Sequence, residues 1–264
     1  MKFTKTQILF FFFFLNWNVS RSVKINTPIG MSKCRVNLTL LDSTTETHSR
    51  LRAFMAKIRS GKRDLHTYTI RGTDEVVKAG DCVLIRPPPE KSSAPPGVAH
   101  VEGIEADDSD NVKLRVRWYN RPEDSWGGRR EFHGAKELFL SDCYDLQCAN
   151  AIEGKCTVHT FKAYVNKLPN VGPKDFYYRF VYKAATGTFV PDSVIVYCKC
   201  ELPYNPDQWM IQCEECKDWY HPSCVGMSVE QTKELDQYVC SDCVSDQNVN
   251  NLEDTESSSS TITN

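Results

Sequence analysis

The chain has 264 residues and a net charge of -2, enough for one or two ordinary domains and too little for a large multidomain machine. Its 41% hydrophobic, 25% charged and 11% aromatic residues match a folded globular chain and exclude wholesale disorder and fibrous repeats. The near-neutral balance supplies no overall drive toward nucleic acid, so any such contact has to come from a local patch.

Residues 1–20 set two lysines before an apolar run at 8–15, the form of a secretory signal and far short of the ~20 residues of a membrane span. Sequons at Asn18 and Asn37 follow, although such tripeptides are common by chance. The cysteine usage further along fits a reducing compartment instead, residues 31–54 show no periodicity, and a fresh methionine stands at Met55. Residues 1–54 are therefore expected to be a signal-like or mispredicted extension outside the working protein, with true secretion as the alternative.

From about residue 68 the texture is mainly β. Short β-branched runs at 76–86, 98–104 and 112–118 are bounded by proline, glycine and aspartate. In the third, Val112, Leu114, Val116 and Trp118 alternate with Lys113, Arg115, Arg117 and Tyr119, the period of a half-buried strand. Further strands are expected at 137–140, 155–161 and 177–182, giving a β-barrel or sandwich of roughly 120 residues with no long helix. The proline-rich stretch 87–96 reads as a surface loop, and 183–192 as a short connection. Arg129 and Arg130 either touch phosphate or a nucleosome face or belong to a solvated loop. Cys82, Cys148 and Cys156 are expected to be small buried hydrophobes.

Seven of the 12 cysteines, with His221, crowd into residues 198–243. Paired short spacings supply two sites of four ligands, as structural zinc requires, with no open position for catalysis. A segment of about 50 residues is too small to fold on its apolar core, so two zinc ions would stabilise it. A disulfide knot or buried free thiols are the alternatives. Residues 247–264 are polar and acidic, a disordered tail by composition.

Four cysteines, one histidine, then three cysteines is a ligand order similar to that of PHD fingers. The RING fingers of ubiquitin ligases place the histidine fourth, which leaves a ubiquitin-transfer enzyme as the weaker alternative. The resemblance implies interleaved sites, Cys198, Cys200, His221 and Cys224 for one zinc and Cys213, Cys216, Cys240 and Cys243 for the other. Tyr197, Tyr204, Met210 and Trp219 occupy the positions that build a methyl-lysine cage in such fingers. Aromatic faces attract a quaternary ammonium through the ring quadrupole; each residue alone is more often a core or surface side chain, and it is their joint placement that points to a cage. Ten acidic residues face three lysines between 195 and 246, an excess that attracts a cationic peptide and repels DNA. Such a peptide would add a strand to the finger, with Asp207 as a candidate partner for one of its arginines.

Residues 117–124, 127–134 and 137–142 resemble a BAH domain. With a PHD finger directly after it, the chain resembles the plant BAH–PHD chromatin readers over residues 55–243. That resemblance implies a β-barrel-like BAH domain at 67–184 and a finger at 195–246. It implies a nuclear, non-enzymatic protein whose partner is the histone H3 tail on chromatin or nucleosomes, with no small-molecule substrate and no membrane. The finger would recognise H3 trimethylated on lysine 4 (H3K4me3) and the BAH domain H3 trimethylated on lysine 27 (H3K27me3), helping to repress developmental genes such as those for flowering. The BAH cage departs from the family: Gly97 stands at its first tyrosine, Asn120 at its third aromatic, and Cys143 at a family histidine. Trp118 is the residual cage, so weak or absent H3K27me3 binding is expected. A BAH–PHD chain used only for protein–protein interaction is the remaining alternative.

Overall fold

The computed structural model describes residues 22–24 and 62–245. The signal-like start, both sequons and the polar tail lie outside them. Among the described residues, no helix is long and apolar enough to cross a membrane. The chain divides into two compact units, residues 24–192 and residues 193–264 with 1–23. The first strand, β1 (Ser22–Lys24), is paired in the second unit.

The first unit is a barrel. Its strands are β2 (Arg63–Leu65), β3 (Thr67–Thr69), β4 (Val76–Lys78), β5 (Cys82–Ile85), β6 (Gly97–Ala106), β7 (Val112–Asn120), β8 (Glu137–Cys148), β9 (Ile152–Thr160), β10 (Asp175–Lys183) and β11 (Thr188–Val190). The main sheet runs β11-β10-β8-β7-β6-β5-β9, and β9 also pairs with β10, which closes the ring. Closure removes the open edges that would otherwise template aggregation. β9 and β10 are parallel, and parallel neighbours need a crossover. The helix Phe161–Lys167 supplies it, started by Thr160, whose hydroxyl accepts the Ala163 N–H at 3.4 Å.

Alternation in β7 sends Leu114 and Val116 fully into the core beside Val77, Val83, Ala99 and Val101. A second, aromatic cluster packs Phe139, Phe180, Tyr182 and Phe189 together, Phe139 and Phe189 meeting edge to face at 5.0 Å. One ion pair is buried beside it. Arg179 Nε lies 2.7 Å from Glu137 Oε1, Arg179 Nη2 donates to Glu137 Oε2 at 3.0 Å, and the guanidinium stacks 4.1 Å from the Phe161 ring centroid.

Several expectations are corrected here. The run 76–86 is two strands, because Gly80 at φ +92° turns the chain between β4 and β5. Residues 183–192 contain β11, which folds back on β10. Gly187 permits that turn: its φ is +68° and any Cβ there would enter the Trp126 indole. β8 is 12 residues long, since its second half pairs with β7 while staying exposed and so lacks the apolar alternation that marks a strand. Cys148, in that half, is exposed and not a core residue. Cys82 and Cys156 lie opposite each other on β5 and β9, half-buried. Arg129 is an exposed residue of its loop. It ties its own loop together through Glu123 at 2.6 Å and the carbonyls of His133 and Gly134.

The second unit is small and held by short pairings. β12 (Ser193–Tyr197) lies between β1 and β13 (Leu202–Pro203), while β14 (Ile211–Gln212) pairs with β15 (Trp219–Tyr220). The helix Val229–Glu234 starts with a reciprocal capping box between Ser228 and Gln231.

Candidate metal centres and peptide-binding face

Two short segments of the second unit meet in each thiol cluster. Cys198 and Cys200 meet His221 and Cys224, and Cys213 and Cys216 meet Cys240 and Cys243. Within each set the ligand atoms lie within 4.8 Å of one another. The pairing is the interleaved one. Cys213 Sγ stands 3.9 Å from Cys243 Sγ, and Cys216 Sγ the same distance from Cys240 Sγ. A tetrahedron of Zn–S bonds near 2.3 Å has edges of about 3.8 Å, so the donor sets fit such an ion in both type and spacing. His221 turns its Nδ1 toward the set, 3.3 Å from Cys200 Sγ.

The backbone prepares these sites. Lys217 at φ +61° turns the chain back after Cys216, its amide donating to the Cys213 carbonyl at 3.0 Å and its carbonyl accepting Gln212 Nε2 at 2.9 Å. The His221 N–H points at Cys198 Sγ at 3.4 Å and the Cys240 N–H at Cys213 Sγ at 3.3 Å. Such donors stabilise negative sulfur and orient it. Tyr220 escaped the sequence reading. Its hydroxyl sits 3.8 Å from Cys216 Sγ and its ring 6.0 Å from Tyr238, shielding the second cluster. Its place beside His221 in the sequence was the only available signal.

The four predicted cage residues come from separate elements. Tyr197 ends β12 opposite Leu202, Tyr204 follows β13, Met210 precedes β14, and Trp219 opens β15 opposite Gln212. Tyr204, Met210 and Trp219 are almost wholly buried, at 8%, 5% and 8% exposure, and Tyr197 is half-buried. Burial, and then the Asp218 carboxylate beside it, pushes the Tyr197 phenol up to about 12. Tyr197 is thus close to the residue that precedes Trp219. Asp207 is exposed on the turn after Tyr204, its N–H donating to Asn205 Oδ1 at 3.0 Å.

In the barrel, Trp118 packs half-buried against the core, as its register with Leu114 and Val116 dictates. Its ring covers Gly97, where a Cβ would lie 2.8 Å from Trp118 Cζ3. Asn120 stands half-buried two residues on, opposite Phe139.

These features agree with what the chain is similar to. Residues 75–193 match the BAH domain and residues 194–251 the UBR7-like PHD finger. Over 194 residues, 74% of this chain and 82% of the relative, it is 63% identical to Chromatin remodeling protein EBS of Arabidopsis thaliana. Chromatin remodeling protein SHL of the same plant is 50% identical over 190 residues, 72% of this chain and 82% of that one. The finger alone is 49% identical, over 51 residues, to Lysine-specific demethylase phf2 of Danio rerio, covering 19% of this chain and 5% of that one.

Proposed function

Since this chain belongs to the family of BAH–PHD chromatin regulators, we propose that it is a non-enzymatic, nuclear histone reader whose finger binds the H3 tail trimethylated on lysine 4. In this reading Cys198, Cys200, His221 and Cys224 hold one zinc ion and Cys213, Cys216, Cys240 and Cys243 a second. The ions supply no chemistry; they organise β12 to β15. Tyr197 and Trp219 on those strands, with Tyr204 and Met210 beside them in the chain, offer three aromatic faces and a thioether for an ammonium that cannot donate hydrogen bonds. The observation that carries the reading is the metal-type clustering of all eight predicted ligands beside those four side chains. Asp207, exposed at the edge, pairs with an arginine of the peptide. In this reading the finger, residues 195–246, carries the recognition of the tail, the BAH unit spans residues 67–184, and the protein acts in the repression of developmental genes.

The BAH unit contributes little to H3K27me3 binding in this reading. With Gly97 and Asn120 in place, one aromatic wall remains, and it is Trp118 lying against the core. A single exposed cation–π contact offers only about 0.5–1 kcal/mol.

Calorimetric titration of the full zinc-loaded chain with H3 peptides tests this. Binding of the lysine-4-trimethylated peptide, with little or no binding of the lysine-27-trimethylated and unmodified peptides, is expected. Equal binding of modified and unmodified peptides would remove the cage from the proposal.

A further inference from the structure

We propose that the outer face of β7 and β8 binds the phosphate backbone of duplex DNA, a contact separate from histone reading. Lys113, Arg115 and Arg117 occupy alternate positions of β7, so they share the face opposite to the buried Leu114 and Val116. Alternate residues of a strand repeat every ~6.7 Å, which sets three cations in a straight, evenly spaced row. Arg117 is held in place: its Nε donates to the Ser141 carbonyl at 2.6 Å, and its guanidinium lies 5.6 Å from the centroid of the Tyr144 ring. Arg115 lies over Gly103, where any side chain would collide with its guanidinium.

The neighbouring strand extends the face. Tyr144, Leu146 and Cys148 of β8 stand opposite Arg117, Arg115 and Lys113, and Tyr144 and Leu146 are 64% and 47% exposed.

Two of the carboxylates around the row are paired with other cations. Glu105, paired across from Lys113, is held by Lys62 at 2.6 Å. Asp107 accepts the backbone N–H groups of Ser109 and Asn111, Asp110 pairs with Arg63, and Asp142 accepts the Ala184 N–H. Among the described residues none of Lys113, Arg115 and Arg117 forms an ion pair, so the row keeps its positive charge beside Asp107 and the exposed Glu102 within a chain whose net charge is -2. A strand face with a regular line of cations matches a regularly repeating anion better than the irregular carboxylates of an acidic protein. Phosphate contact of this kind positions a protein without reading sequence.

The test is fluorescence anisotropy of the full zinc-loaded chain with a labelled duplex of about 30 base pairs across a salt series. Three phosphate contacts predict a slope of about −2.7 in log K against log salt, a loss of roughly 40-fold between about 50 and 200 mM salt. In Lys113→Glu with Arg115→Glu, the affinity at the lower salt falls at least about ten-fold and the slope drops toward about −0.9. A control with Arg71→Glu and Lys91→Glu changes net charge equally at exposed sites on other loops and stays within about two-fold of the parent, since surface charges act locally in salt. An unchanged thermal unfolding midpoint shows that both variants are folded. Absence of duplex binding, equal weakening by the control, or displacement of the duplex by polyglutamate as effectively as by unlabelled duplex each overturns the proposal.

Discussion

Gly97 illustrates how one absent side chain reorganises a binding face. Without a Cβ at that position, the Trp118 ring settles over the strand and gains core contact instead of standing free as a wall. A tyrosine at 97 would force that ring outward, and one at 120 would lie on the same side of the strand as Trp118. We expect Gly97→Tyr with Asn120→Tyr to raise affinity for a lysine-27-trimethylated H3 peptide at least ten-fold, about 1.4 kcal/mol or two good ring contacts. Calorimetry checks it; no gain would mean that the face is blocked by more than its missing aromatics. The Glu137–Arg179 pair carries a second residue-scale prediction. Burial pushes the Glu137 carboxyl up, while Arg179, the Tyr177 hydroxyl and the Gly134 N–H pull it down. Arg179→Met alone strands a buried carboxylate and should cost about 3–5 kcal/mol in denaturant unfolding, most of it regained when Glu137→Gln is added. A double variant as unstable as the single one would show that the pair holds the barrel by more than charge neutralisation.

Among the elements, the loop between β7 and β8 makes stability depend on pH. His133 is buried between the rings of Phe132 and Phe139, at 4.3 and 5.2 Å, with its Nδ1 accepting the Arg130 N–H at 2.9 Å. Burial first, and then the nearby charges of Arg179, Arg129 and Arg130, pushes its pKa down to about 3. The unfolded chain, with an ordinary histidine near 6.5, then binds the proton more readily, so stability is complete above that value and falls as the pH drops toward 3. At pH 5 the loss from this residue is about 2 kcal/mol. His133→Gln should flatten the profile of the barrel's unfolding between pH 7 and 5; an equally steep profile would assign the dependence to other groups. The elements were unevenly legible. β7 was visible because strict alternation reflects one buried and one wet face, whereas the far half of β8 exposes both faces and leaves no hydrophobic period. The helix Phe161–Lys167 is too short for a helical period and buries only Tyr164 and Val165; its existence follows from the parallel crossover it serves.

For the whole molecule, the two units rest on different sources of stability. The barrel buries a continuous apolar and aromatic core. The finger has strands of two to five residues and two four-ligand clusters, so its folding is expected to be metal-linked. Removing metal with a strong chelator should abolish the finger's near-ultraviolet dichroism and its histone-peptide binding while the barrel's thermal transition stays in place. Loss of both transitions together would show that the units do not fold independently. By itself the sequence determined what depends on local spacing: the grouping of seven cysteines and His221 into two clusters and the alternation that marks the barrel strands, because short-range order along a chain is covalent. How the basic side chains are disposed was decided only in three dimensions. Arg129 is consumed by its loop while Lys113, Arg115 and Arg117 form a row, and Trp118 lies on Gly97. Those outcomes depend on strand register and on contacts that the fold sets, from the loop partners of Arg129 to Gly97 across the sheet from Trp118.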